Sequence, residues 1–140
     1  MAMRCLWSDR VARVAAVLAV AACVKTTTRS FLPSPQNPIY TPTRAQPVLA
    51  EYLRLQCPAF RKAQRPDSGI VRFTVLVDAK GFATRADLAQ GSGDQLVDEV
   101  FGTVAAQLDF GKDSANAHAR RQPVAMHYRC QGDSASVTIR

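Results

Sequence analysis

The chain has 140 residues, with 18 Lys and Arg against 11 Asp and Glu and a formal net charge of +7. With 47% apolar residues, that length builds one modest core and leaves no room for a second domain. The positive charge is scattered, and no stretch joins dense Lys and Arg to interleaved aromatics. Nucleic acid is therefore not the expected partner; a mildly basic surface suits anionic lipid, lipopolysaccharide or an acidic protein.

The first element is an apolar run. Val14 to Ala22 is uninterrupted, Arg4, Arg10 and Arg13 precede it, and Asp9 is the one dissonant charge. The run is too short for the roughly 17–25 residues of a spanning helix. A basic start, a short apolar stretch and small residues at its end are the layout of a secretory signal peptide. Its last residues, "VAAC" from Val20 to Cys23, resemble the lipobox of bacterial lipoproteins. That resemblance implies that residues 1–22 are removed and that Cys23 carries the acyl chains, palmitate among them. Val24 in place of aspartate implies the outer membrane. The protein is then lipid-anchored and faces an oxidising periplasm, where disulfides persist.

Residues 23–47 read as the lipidated cysteine and a tether. Five of the eight prolines lie here, at Pro33, Pro35, Pro38, Pro42 and Pro47. Proline removes backbone donors and favours extended chain, so neither helix nor central strand is expected. Drawn out as polyproline II, the tether reaches about 70 Å. Phe31, Leu32, Ile39 and Tyr40 punctuate it. They are either contacts laid along a partner or incidental apolar residues in a spacer.

A small α+β domain is expected over 48–132, with 133–140 as a tail or a short edge strand. "PVLAEYLRLQC" places Val48, Leu49, Tyr52, Leu53 and Leu55 at helical spacing, and Pro58 is expected to end that short N-terminal helix. "GIVRFTVLV" alternates as a strand, with Val71, Phe73, Val75 and Val77 on the core face. Asp78 to Gly81 is turn chemistry, Gly81 supplying positive φ, and Phe82 to Gln90 returns as the second strand of a β-hairpin. After Gly91 and Gly93, Ser92 or Asp94 is placed to cap an amphipathic helix. Its stripe is Leu96, Val100, Val104 and Leu108, flanked by Val97, Phe101 and Ala105, with Gly102 allowing close packing. A polar loop leads to "QPVAMHYRC", a returning strand with Val124, Met126, Tyr128 and Cys130 on one face.

Cys5 leaves with the signal peptide, so Cys57 and Cys130 are the pair left beside the lipidated Cys23. In an oxidising compartment they read as a disulfide tying the start of the domain to its end, the alternative being two buried thiols. No CxxC is present, which argues against redox catalysis.

Taken in order, "GIVRFTVLVDAKG", "GSGDQLVDE", Phe110 and Pro123-Val124 resemble the C-terminal periplasmic domain of the TonB and TolA energy transducers. The resemblance implies a non-enzymatic module that binds a partner segment by strand addition at a sheet edge, along Val124–Cys130 or along Phe82–Gln90. It departs from the family in having a lipid in place of a transmembrane helix, and Phe60-Arg61 where the family has Tyr-Pro. The fold therefore carries over better than energy coupling. Implied partner-binding residues are Phe31, Leu32, Ile39 and Tyr40 of the tether and Val124, Met126 and Tyr128 of the last strand. A second resemblance, carried by the lipidated cysteine and "PQNPIYTP", is to the lipoprotein subunit of type IV secretion core complexes. There the linker packs on a larger outer-membrane subunit of a multi-subunit assembly. Either way the partners are envelope proteins.

Catalysis needs a nucleophile with a positioned base, or a metal with suitably spaced ligands. His118 and His127 have no Cys or carboxylate at zinc spacing, and Ser92 reads as a cap. No catalytic residue, metal or cofactor is expected.

Overall fold

The computed structural model describes residues 29–112 and 118–140. In chain order its elements are β1 (Ser30–Phe31), α1 (Pro42–Lys62), β2 (Ser68–Val77), β3 (Ala83–Gln90), α2 (Gln95–Ala105), β4 (Arg120–Gln131) and β5 (Ser134–Ile139). The strands form one antiparallel sheet in the order β1-β3-β2-β4-β5. Both helices lie on one face of it, which is the α+β class expected.

The β2–β3 hairpin is built as its alternation predicts. Val71, Phe73, Val75 and Val77 are buried under the helices. In the turn, the Asp78 carboxylate accepts from the amides of Lys80 (2.9 Å) and Phe82 (3.0 Å). Gly81 takes φ of 96°, and a Cβ there would run into the Gly111 backbone, so only glycine fits.

Helix α1 corrects two expectations. It starts at Pro42, inside the segment read as tether, and it runs through both Pro47 and Pro58. Thr41 caps it, its hydroxyl accepting from the Arg44 amide, and Pro42 opens the first turn, where no amide bond is lost. Pro58 does cost a hydrogen bond, yet core contacts on either side hold the last turns. Cys57 is bonded to Cys130 of β4, and Phe60 is buried. The buried stripe is Ala45, Leu49, Leu53, Cys57 and Phe60, leaving Val48 and Leu55 exposed.

Helix α2 is capped by Asp94, whose carboxylate accepts from the amides of Leu96 (2.9 Å) and Val97 (3.2 Å). Its stripe is rotated from the one expected. Val97, Phe101, Gly102, Val104 and Ala105 are buried, whereas Leu96 is 61% exposed. The cause is Asp98, which points inward because its carboxylate accepts from the amide and the hydroxyl of Ser92, both at 2.7 Å.

Of the two readings of the C-terminal residues, tail or short edge strand, the strand is the one present. Gly132 turns the chain with φ of 54°, and β5 pairs with β4 from Gln131↔Ser134 to Met126↔Ile139. The sheet therefore has five strands rather than three.

Candidate interaction site

The segment before α1 determines which surfaces a partner can reach. It does not hang free. Ser30 and Phe31 pair with Asp87 and Ala86 of β3, and the Arg29 carbonyl accepts from the Leu88 amide at 2.8 Å. The Phe31 ring meets Phe73 edge to face, with centroids 6.1 Å apart, and lies where a side chain at Gly102 would stand. Gly102 thus makes room for Phe31, not for the hairpin. Arg29 stacks over the Phe31 ring and pairs with Glu99 of α2 at 2.7 Å.

The proline turn that follows is held by Gln107, only 4% exposed. Its side-chain carbonyl accepts from the Ser34 amide at 2.7 Å, and its amide nitrogen donates to the carbonyls of Ser34 (3.1 Å) and Asn37 (2.9 Å). Tyr40 closes the segment: its amide donates to the Gln107 carbonyl at 3.0 Å, and its carbonyl accepts from Asp109 at 2.8 Å. A polar side chain buried among apolar neighbours is tolerated because each of its groups is paired. Sequence reasoning missed Gln107, since a glutamine at the end of an apolar helix carries no signal until its partners are known.

Of the seven residues read as partner-binding, five are committed inward. Phe31 and Tyr40 are half-buried against the core. Val124, Met126 and Tyr128 are buried outright, because β4 lies between β2 and β5 and their side chains face the helices. Only Leu32 and Ile39 remain outside, 70% and 60% exposed. Ile39 lines a hollow of about 330 Å³ together with Pro33, Pro35, Phe82 and Leu108. The two expected sheet edges are also filled. The β4 edge is covered by β5 from Ala125 to Gln131, and on β3 the Ala83 amide donates to Leu108 at 2.9 Å while Leu88 is held by Arg29.

Among the described residues the two outer strands are β1, only two residues long, and β5, which offers the longer free edge. Ala125 and Arg140 exchange both backbone hydrogen bonds at 2.9 Å. Antiparallel pairs alternate in this respect, so the amides of Ala135, Val137 and Ile139 point away from β4. The Ile139 amide is taken by the Gln46 side chain of α1 at 2.9 Å. Those of Ala135 and Val137 have no partner among the described residues.

The Cys57–Cys130 disulfide is present, with Cα atoms 5.8 Å apart, and joins α1 to β4. Cys23 lies outside the described residues. A second hollow of about 260 Å³ lies between Phe60, Arg65, Ser68, Ser92, Asp94 and Tyr128. Burial pushes the Tyr128 hydroxyl above its ordinary pKa, and the Asp98 and Asp94 carboxylates add to the effect. The Ser92 hydroxyl donates to Asp98 at 2.7 Å, beside the Asp94 cap of α2. No group of three metal-ligating side chains occurs among the described residues, and none of their helices is long and apolar enough to cross a membrane.

No family model, curated protein or solved structure matches the chain. What can be said of its role comes from its own residues.

Proposed function

We propose that the chain is an outer-membrane lipoprotein anchored through Cys23, a non-enzymatic module of the cell envelope that binds a protein partner by strand addition. The observation that carries this reading is the β5 edge, where the outward amides of Ala135 and Val137 offer donors to an incoming strand. The likeness of the hairpin and helix segments to TonB and TolA C-terminal domains supports the same mode of recognition. The sheet already accepts one extended segment, its own Ser30–Phe31, on the opposite side.

Ala135→Pro removes one outward donor at a position where an edge strand tolerates proline. The variant should melt close to the parent and lose the partner recovered from detergent-solubilised envelopes. Undiminished recovery with an intact fold would refute strand addition at this edge. A structural role in a secretion core complex is favoured instead by the exposed side chains of Leu32 and Ile39, the latter lining the hollow. Leu32→Ser with Ile39→Ser would then abolish recovery while Ala135→Pro would not.

A further inference from the structure

The sheet face opposite the helices bears a charge pattern that the partner reading leaves unused. Pairing register puts Arg72 of β2, Arg85 of β3 and Arg121, His127 and Arg129 of β4 on this face. Asp87 is the one carboxylate at its strand positions, and it is already occupied by Arg85 at 2.9 Å and by the Ser30 hydroxyl at 2.6 Å. The helices carry Glu51, Asp98 and Glu99, and the other described carboxylates sit in caps and turns. The open sheet face is therefore basic, and helix α1 carries its own basic residues, Arg44, Arg54, Arg61 and Lys62, beside Glu51. Arg72, Arg121 and Arg129 form no ion pair among the described residues.

Their spacing selects the class of ligand. Arg121 and Arg129 are eight residues apart on one strand, which is about 26 Å, and Arg72 stands on the neighbouring strand opposite Ala125, midway between them. No single phosphate bridges guanidinium groups about 13 Å apart, whereas a plane of headgroups offers one to each. The face has no Phe, Tyr or Trp at its strand positions, so it lacks the stacking platform that single-stranded nucleic acid uses.

We propose that this face docks the domain flat on an anionic lipid bilayer, with Arg72, Arg121 and Arg129 each meeting headgroup phosphates. The chain enters the fold at Arg29, six residues after Cys23, a reach of about 21 Å at full extension. Anchoring at Cys23, as proposed above, keeps the chain's entry into the fold within about 21 Å of the membrane. The arginines attract phosphate with or without it. An acyl chain and a basic patch are together the two signals that make membrane residence stable.

The test uses the full chain carrying Cys23→Ser, so that no acyl chain contributes and the apolar run is common to every variant. Binding is measured by co-sedimentation with phosphatidylcholine vesicles, with and without phosphatidylglycerol. The parent should prefer the anionic vesicles and lose that preference as salt is raised. Replacing Arg72, Arg121 and Arg129 together by glutamine should weaken anionic binding about a hundredfold, at about fivefold per arginine, and the corresponding lysine triple should restore it. Glutamine at Arg44, Arg54 and Arg61 of α1 is the control, expected to change binding little. Equal loss in that control, equal binding to both vesicle types, or arginine-dependent capture of an oligonucleotide without vesicle binding would each overturn the proposal. Acyl labelling at Cys23 of the parent reports on the anchor separately, so a failed face does not count against the anchor.

Discussion

Gly102→Ala should destabilise the protein, although alanine is the better helix former. The added Cβ would stand where the Phe31 ring lies, so the ring must leave. A fully buried phenylalanine is worth about 1.5–3 kcal/mol, and Phe31 is half-buried, so its departure costs about 1–1.5 kcal/mol. Losing the edge-to-face pair with Phe73 costs about 0.5–1.5 kcal/mol more. Against this, alanine in a helix interior gains about 1 kcal/mol over glycine. The net is a loss of about 0.5–2 kcal/mol. In a Phe31→Ala background the ring is gone, and the same substitution should stabilise by about 1 kcal/mol. Denaturant unfolding of the four proteins reads this change of sign, a coupling of about 2 kcal/mol between residues 71 positions apart. If Gly102→Ala stabilises with Phe31 in place, the segment before α1 does not dock, and the free-tether reading stands.

Three further outcomes follow from the same contacts. Replacing Cys57 and Cys130 by alanine opens a bridge spanning 73 residues and should cost about 4 kcal/mol on the chain-entropy estimate; the parent should show no free thiol at either position until reduced. Gln107→Ala strands the Ser34 amide and two carbonyls, and limited proteolysis should then cut between Leu32 and Ile39 before global unfolding. The Ser30 hydroxyl, and then Arg85, hold the Asp87 carboxylate below its ordinary pKa. A lowered carboxylate pKa stabilises the fold above about pH 4 and loses that contribution as pH falls through the lowered value. Asp87→Asn should therefore be less stable than the parent at neutral pH, with the gap closing in acid; a constant gap would refute the linkage.

The sequence carried the parts of this fold that rest on strict alternation. Val71 to Val77 and Val124 to Cys130 face the core as their period of two requires, and the Asp78–Gly81 turn has the chemistry its residues advertise. What it concealed has physical causes. Five prolines in 24–47 suggested an extended tether, yet Pro42 sits where a helix has no amide bond to lose, and the next prolines are carried by packing around Ala45, Leu49 and Phe60. The stripe of α2 was misread by one position because Asp98, counted as polar, is buried with Ser92. The edges were misplaced because the alternation of Val124 to Cys130 does not disclose that the short strand "SASVTI" pairs along its outer side. Strand order is a long-range property, and no local pattern discloses which strand lies outermost.

Strand order also sets how the proposed contacts combine. The chain that follows the proposed anchor at Cys23 joins the sheet at β1, and the proposed acceptor edge is β5, four strand spacings away, or about 19 Å. Anchoring and strand acceptance therefore do not compete for backbone, and the arginine face lies between them. With residues 29–41 folded onto the domain, the reach from the anchor falls from about 70 Å to about 21 Å. A domain held that close, open face down, presents β5 along the membrane with the helices turned away from it. With anchor and face as proposed, the partner strand approaches parallel to the bilayer, and a membrane-proximal segment meets it at high effective concentration.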